Sequence, residues 1–273
     1  MSRFLKPLQE FLASKKDFSI LYSSNSVNPF VTSSTERVYV LDSSFNPPHL
    51  AHYALIEESL KTNHDDIPIE NESLLLLLSV KNVDKVHPQP ESFDKRLEMM
   101  YYMANHISKN HPINVSIGVT NHAKFVDKSL SILNYLESQN ITIHQGFKLT
   151  FLIGFDTLIR IFDPKYYLPD KLSNSLDHFM KMTDLFCLTR QNEHISIIQQ
   201  SGYVKDISKG KHDEIPKSWS NNIFLLKNLN EDIAQISSSS IRKEIKEGKS
   251  NWKLQVLPEI EKYITENNLY KED

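Results

Sequence analysis

The sequence predicts an α/β fold: a doubly wound parallel sheet with helices on both faces. Short runs that are apolar throughout recur along the chain, and segments with helical spacing separate them. A strand that is apolar on both faces belongs in a parallel sheet whose two faces are covered. The chain has 273 residues, 40% of them hydrophobic, which is enough for a domain of this kind and its core.

The chain begins with a segment that differs from the rest. Residues 3–15 place apolar side chains on one helical face, and residues 22–36, rich in Ser, Asn and Thr, are predicted to form a loop. We therefore expect a helical extension and loop over residues 1–36, followed by a single domain over residues 37–273.

An alternation of strands and helices follows. Six strands are predicted from short apolar or β-rich runs. They cover residues 37–42, 73–80, 113–119, 148–154, 184–190 and 221–227. Five helices are predicted from apolar residues that recur every three or four positions. They cover residues 48–61, 92–108, 126–140, 239–247 and 257–267. The polar segment 202–221 lacks this periodicity, so we expect a mobile loop near the site or a solvated connector.

Composition narrows the classes of function. The net charge is −3 and no basic block is present, so nothing points to a nucleic-acid partner. The longest leucine run, residues 73–80, is far shorter than the roughly 20 apolar residues that span a bilayer, which predicts no membrane partner. Cys187 is the only cysteine, so neither an internal disulfide nor a cysteine zinc site can form. We expect a reducing compartment, the cytosol or the nucleus.

The stretch "SSFNPPHLAH", residues 43–52, directly follows the first strand of the alternation. Pro48 suits the first turn of a helix, where the N–H groups can bind an anion. His49 and His52 are three residues apart and share one helical face, so both can donate hydrogen bonds to phosphate oxygens. Two other readings are a pair of surface histidines and a zinc site, which lacks a third ligand at useful spacing. We predict no metal ligands in the chain.

The stretch "ISSSSIRKEIKEG", residues 236–248, follows the last predicted strand by a short loop. Serine hydroxyls and the N–H groups of a helix start can hold phosphate oxygens, and the guanidinium of Arg242 adds a bidentate cation. Taken alone, this stretch is equally well read as a serine N-cap before a solvated helix.

Together the two stretches resemble the signatures of the nucleotidylyltransferase superfamily, Gly-x-Phe-Asn-Pro-x-His-x-Gly-His and Ile-Ser-Ser-Thr-x-Ile-Arg. Within it the chain is most similar to nicotinamide mononucleotide adenylyltransferases, in a divergent fungal branch linked with filamentous growth. Weaker landmarks that agree are "KRLEMM" (95–100), "FVDKSLSILNYL" (125–136) and "FLIGFDTLIRIFDPKYY" (151–167). The resemblance covers residues 37–250 and implies a Rossmann-like fold of the nucleotidylyltransferase type.

The resemblance also implies a reaction and its residues. A phosphate of one substrate attacks the α-phosphorus of ATP and pyrophosphate leaves, so positioning and charge neutralisation carry catalysis. The residues that it assigns to catalysis are His49, His52 and Arg242. The residues that it assigns to ATP are Ser44, Phe45, Asn46, His49, His52, Ser237, Ser238, Ser239, Arg242 and Lys85, with Lys81 as the alternative lysine. The residues that it assigns to the acceptor are Gly154, Asp156 and Arg96. Mg²⁺ is expected on the ATP phosphates rather than in a protein cage.

The chain departs from the signatures at three positions. Ser43 and Ala51 stand where the first signature has glycine, and Ser239 stands where the second has threonine. Many relatives stack the nicotinamide on an aromatic side chain, often a tryptophan, and neither Trp219 nor Trp252 lies in a segment that matches this role.

We therefore carry three hypotheses. The first is adenylyl transfer from ATP to nicotinamide mononucleotide, which forms NAD and pyrophosphate. The second is nucleotidylyl transfer to another phosphorylated acceptor, such as phosphopantetheine. The third is a regulatory protein that binds ATP or hydrolyses it weakly. The sequence does not decide between a monomer and a homo-oligomer.

Overall fold

Seven strands form one sheet in the part of the chain that the computed structural model describes, which is residues 2–25, 30–62, 65–80, 90–190, 195–228 and 230–271. The strands are β1 (Phe18–Ser23), β2 (Arg37–Asp42), β3 (Glu72–Ser79), β4 (Asn114–Thr120), β5 (Lys148–Gly154), β6 (Thr183–Leu188) and β7 (Ile223–Leu226). The six strands predicted from apolar runs are thus all present, with ends that shift by a few residues.

Helices connect the strands. They are α1 (Leu5–Ala13), α2 (Leu50–Thr62), α3 (Phe93–Asn110), α4 (Phe125–Ser138), α5 (Phe155–Ile161), α6 (Leu172–Met182), α7 (Ile197–Ser208), α8 (Glu231–Ala234), α9 (Ser238–Lys246) and α10 (Pro258–Glu266). The helices predicted from periodicity correspond to α1, α2, α3, α4, α9 and α10.

The strand order confirms the predicted fold class. It is β1-β4-β3-β2-β5-β6-β7, and every neighbouring pair is parallel except β1 with β4. After β2 the chain builds outward through β3 and β4, then returns to place β5 on the other side of β2. The crevice at the carboxyl ends of β2 and β5 is therefore the point where a doubly wound sheet binds its ligands.

The sheet separates two apolar cores. On β2, Tyr39 and Leu41 face one core, whereas Val38 and Val40 face the other. The first core contains apolar residues of α1, α2, α3, α9 and α10, and the second contains those of α4, α5 and α6. Residues of a strand alternate between its faces, so a run that is apolar throughout marks a strand covered on both sides.

Strand β1 was not predicted from the sequence. Residues 22 and 23, which it placed in a loop, belong to this strand, whose register pairs Phe18 with Thr120 and Ser23 with Ser116. Only Phe18 is buried in the strand, so the segment shows neither alternation nor a continuous apolar run. Pairing with β4 at the edge of the sheet forms it. Together with α1, whose Leu8 and Phe11 are buried in the core, β1 joins the predicted extension to the sheet.

Other segments also differ from expectation, among them the short helices α5 and α8, which were not predicted. Helix α6 was not predicted, although the buried residues in its sequence "LSNSLDHFMKM" lie on one helical face. The segment 202–221, expected as a loop or connector, instead begins with the second half of α7 and ends in a 3₁₀ helix, Lys217–Asn222. In that turn Trp219 is buried and stacks on Phe162, so packing against the second core orders the polar segment.

Candidate functional site

A cavity of about 290 Å³ opens at the carboxyl ends of β2, β5 and β6. Its wall combines the loop after β2, the start of α5 and the start of α9. The predicted site residues that line it are His49, His52, Gly154, Asp156, Ser237 and Ser238. The two sequence stretches therefore meet at one cavity, at the position where the fold leads one to expect a ligand.

The loop after β2, residues 43–49, has an unusual backbone. Phe45 is fully buried and has a φ of +45°, in the left-handed region that a bulky side chain rarely adopts. Such a conformation costs about 1–3 kcal/mol and persists only where its surroundings hold it. Asn46, which is 1% exposed, is part of the same buried turn. The predicted site residues Phe45 and Asn46 are thus buried on the inner side of the loop and do not line the cavity.

Two histidines follow this turn at the start of α2. Their rings stack with centroids 3.7 Å apart, and His49 is 6% exposed. The backbone N–H of His49 donates to Nδ1 of His52 at 3.1 Å, and Nε2 of His52 lies 2.9 Å from Oγ of Ser43. Because Nδ1 accepts a hydrogen bond, the proton of the neutral His52 ring is on Nε2, which donates to Ser43.

Both imidazoles are neutral at pH 7. Burial lowers the pKa of His52 from 6.5 to about 3, and the positive charge of Arg190 lowers it further. Burial also lowers the pKa of His49 well below its usual value, with added repulsion from His52 and Arg190. The Nδ1 atom of His49 is buried and has no hydrogen-bond partner among the described residues. These rings can therefore act as uncharged donors until an anion favours their protonation.

The contact between Ser43 and His52 is not that of a nucleophile and its base. A histidine that activates a serine must present an unprotonated nitrogen to the hydroxyl. Here that nitrogen, Nε2, carries the proton. The arrangement favours hydrogen bonding to a ligand rather than covalent catalysis by Ser43.

The second stretch forms the start of α9. Ser237 caps the helix: its hydroxyl accepts from the N–H of Ser240 at 3.1 Å, and its own N–H donates to the hydroxyl of Ser240 at 3.3 Å. The hydroxyl of Ser238 donates to the carbonyl of Pro47 at 2.9 Å. The hydroxyls of Ser237 and Ser238 thus have partners within the protein, while Ser239 is exposed.

Arg242 also contacts the first loop. Its NH1 donates to the carbonyl of Asn46 at 2.7 Å and its NH2 to the hydroxyl of Ser239 at 3.3 Å. Partial burial lowers the pKa of this guanidinium. Arg242 lies beside the loop that carries both histidines, although it is not part of the cavity wall.

Arg96, on α3, lies behind the loop. It is 1% exposed and donates to the carbonyls of Glu91, at 3.0 and 2.9 Å, and of Ser44, at 3.3 Å. Burial lowers its pKa to about 10. Arg96 is not among the residues that line the cavity. Its hydrogen bond to Ser44 supports the loop from the side away from the cavity, and this position does not favour the predicted contact with an acceptor.

The start of α5 forms the opposite wall. Gly154 precedes the helix with ordinary extended dihedral angles, and a Cβ atom on it would have no heavy atom within 4 Å. A side chain there would extend into open space at the cavity. Asp156, in the first turn of α5, lies 3.9 Å from NH1 of Arg190.

Sequence reasoning missed several cavity residues. Arg190 and Thr189 follow β6, and Asn228 follows β7, so their positions just after strands were the signal that could have identified them. Asp42, at the end of β2, also lines the cavity, and its Oδ2 lies 2.5 Å from Nζ of Lys128 on α4. Lys81 and Lys85, predicted near phosphate, lie outside the described residues.

Among the residues that the structure describes, no group of three or more His, Cys, Asp or Glu side chains is arranged to hold a metal ion. In the same ranges, no helix combines the length and the apolarity that crossing a membrane requires.

Known proteins resemble this chain in sequence and in fold. A Schizosaccharomyces pombe protein named "Putative nicotinamide mononucleotide adenylyltransferase" is 37% identical over 194 residues, which is 71% of this chain and 70% of that protein. A structure of Plasmodium falciparum nicotinic acid mononucleotide adenylyltransferase complexed with NaAD has a TM-score of 0.55 at 16% identity, and covers 87% of this chain and 98% of that one. The same Plasmodium falciparum enzyme complexed with APC has a TM-score of 0.54, with the same coverage. No family model matches the chain.

Proposed function

The chain belongs to the nicotinamide mononucleotide adenylyltransferase family of the nucleotidylyltransferase superfamily, and from that membership we propose that it transfers the adenylyl group of ATP to nicotinamide mononucleotide. A phosphate oxygen of the acceptor forms a bond to the α-phosphorus of ATP. The bond from that phosphorus to the bridging oxygen breaks, pyrophosphate leaves, and NAD is formed.

One observation carries the proposal: the two phosphate-binding stretches touch. Arg242 and Ser238, from α9, donate to carbonyls of residues 46 and 47 at 2.7 and 2.9 Å. About 190 residues of chain separate these partners. The contacts bring the start of one helix and the histidines of another to the same cavity, which is what binding a polyphosphate needs.

The residues contribute by charge and position. In the proposal, the Nε2–H of His52 and the ring of His49 donate to ATP phosphates as negative charge moves toward the leaving pyrophosphate. Arg242 and the N–H groups at the start of α9 hold the β- and γ-phosphates, and Arg190 adds a second cation at the cavity. The acceptor lies on the side of Gly154 and Asp156. Mg²⁺ enters with the ATP phosphates, where it neutralises charge.

The decisive experiment mixes the pure protein with ATP, Mg²⁺ and either nicotinamide or nicotinic acid mononucleotide, and measures the dinucleotide and pyrophosphate. We expect NAD, and its loss by at least about a hundredfold in His52→Ala, because a donor to the transition state is removed. His144→Ala, at an exposed position, is the matched control.

Each other result selects another hypothesis. Turnover with nicotinic acid mononucleotide alone would keep the reaction and change the acceptor. Pyrophosphate release only with an unrelated acceptor, such as phosphopantetheine, would favour the second hypothesis. Phosphate release from ATP without a dinucleotide would favour the regulatory protein.

A further inference from the structure

The loop that carries the histidines is held from behind by residues distant in sequence. The hydroxyl of Tyr270, near the end of the chain, donates to Oδ1 of Asn46 at 2.8 Å. Tyr270 is 4% exposed and Asn46 is 1% exposed, so this hydrogen bond is shielded from water. A buried amide oxygen that loses its only donor is destabilised, which gives the contact more weight than a surface hydrogen bond.

The segment around Tyr270 is itself fixed. The backbone N–H of Tyr270 donates to Oε1 of Glu91 at 3.2 Å, and Oε2 of Glu91 lies 2.8 Å from Nζ of Lys95. The carbonyl of Glu91 accepts from Arg96, which also donates to the carbonyl of Ser44. Tyr270 and Arg96 thus both bind Glu91 and both contact the loop, Tyr270 at Asn46 and Arg96 at Ser44.

The conformation of the loop requires such support. Phe45 has a φ of +45° and Tyr270 a φ of +64°, and non-glycine residues keep left-handed backbones only where surrounding contacts hold them. The carbonyls of Ser44, Asn46 and Pro47 are each held by a side chain of another element. The side chain of Asn46 is held in turn by the hydrogen bond from Tyr270.

We propose that Tyr270 is a positioning residue for ATP: through Asn46 it holds residues 43–49 in the conformation that presents His49 and His52 to the phosphates. The inference rests on the proposed function for the identity of the ligand. Tyr270 itself does not line the cavity. Its loss should therefore weaken ATP binding through the loop, while the acceptor side at Gly154 and Asp156 keeps its geometry.

The test compares Tyr270→Phe, which removes the hydroxyl and retains the ring, with Tyr263→Phe, the same change on α10, where the ring packs against Tyr102. Calorimetry, with ATP and Mg²⁺ in the absence of the acceptor, gives the Kd for ATP. Steady-state kinetics give KM for each substrate. We expect the Kd and KM for ATP to rise about tenfold in Tyr270→Phe and to stay within about twofold in Tyr263→Phe. KM for the acceptor should change by less than about threefold.

Hydrogen exchange of residues 43–49 should also rise in Tyr270→Phe. An unchanged Kd for ATP would overturn the inference, and so would an equal loss for both substrates with a lowered unfolding temperature, because that marks general damage. If the unmodified protein binds ATP and forms no dinucleotide, the proposed reaction fails while the two Kd values still test Tyr270. If the unmodified protein does not bind ATP, both proposals are wrong.

Discussion

At the residue scale, His52 is held at both ring nitrogens within the protein. Its Nδ1 accepts a hydrogen bond from the backbone N–H of His49, and its Nε2–H donates one to the hydroxyl of Ser43. A phosphate that approaches Nε2 must therefore compete with Ser43. The glycine of the family signature has no hydroxyl, so this competition comes from the residue that the chain has at position 43.

Removal of the hydroxyl should release this donor. In Ser43→Ala, we expect the Kd for ATP to fall about fivefold, because a competing hydrogen bond contributes about 1 kcal/mol. Isothermal titration calorimetry measures the change, with Ser201→Ala, at an exposed position on α7, as control. Weaker binding in Ser43→Ala would show instead that the hydroxyl of Ser43 contacts the ligand itself.

At the element scale, the start of α9 has two tasks that different serines perform. The hydroxyl of Ser237 accepts from the backbone N–H of Ser240, whereas the hydroxyl of Ser238 joins the helix to the loop at Pro47. The sequence "ISSSSIR" shows both hydroxyls and does not show this division. Only the orientation of the helix relative to the loop assigns one serine to the cap and the next to the contact.

The division predicts separate effects. Ser237→Ala should lower the free energy of unfolding by about 1 kcal/mol, the usual contribution of an N-cap, and should also weaken ATP binding because the cap lies at the cavity. Ser196→Ala removes an equivalent capping box from α7, away from the cavity. It should cost similar stability and leave ATP binding unchanged. Urea denaturation and calorimetry on both variants check this, and an equal effect on ATP binding would contradict the role assigned to α9.

Elements also differ in how far the sequence predicts them. Strands β3 and β5 were predicted because both of their faces are buried, which makes their apolar runs local and visible. Strand β1 was missed because its partner, β4, is about 100 residues away and only Phe18 is buried. Helix α6 was missed although its four buried residues, Leu172, Leu176, Phe179 and Met180, have the spacing of one helical face, so this signal was present in the sequence.

At the scale of the whole molecule, burial of the site affects stability against acid. The pKa of His52 is about 3 in the folded protein and about 6.5 for an ordinary histidine. Below pH 6.5 the unfolded chain binds a proton that the folded protein does not bind. Stability therefore falls as the pH falls, down to the folded pKa.

The effect can be measured. For His52 alone, the free energy of unfolding should drop by about 2 kcal/mol between pH 7 and pH 5. In His52→Gln this part of the pH dependence should be absent, while His144→Gln should behave as the unmodified protein. Urea denaturation at the two pH values gives the comparison. A His52→Gln variant with an unchanged pH dependence would mean that His52 is protonated in the folded state.

Bound ATP should reduce the acid sensitivity of the unmodified protein, because phosphate charge favours the protonated ring.

The sequence by itself determined the fold class and identified the two stretches that meet at the cavity, because strand and helix periodicities and the positions of polar residues after strands are local properties. It identified His49 and His52 as a pair for the same reason. The tertiary structure alone decided what surrounds them. Ser43 on His52, Arg96 behind the loop, Arg190 at the cavity and Tyr270 under Asn46 are contacts between distant segments. Their positions follow from the crossover between β2 and β5 and from the packing of α3, α9 and the end of the chain, and no local pattern encodes such packing.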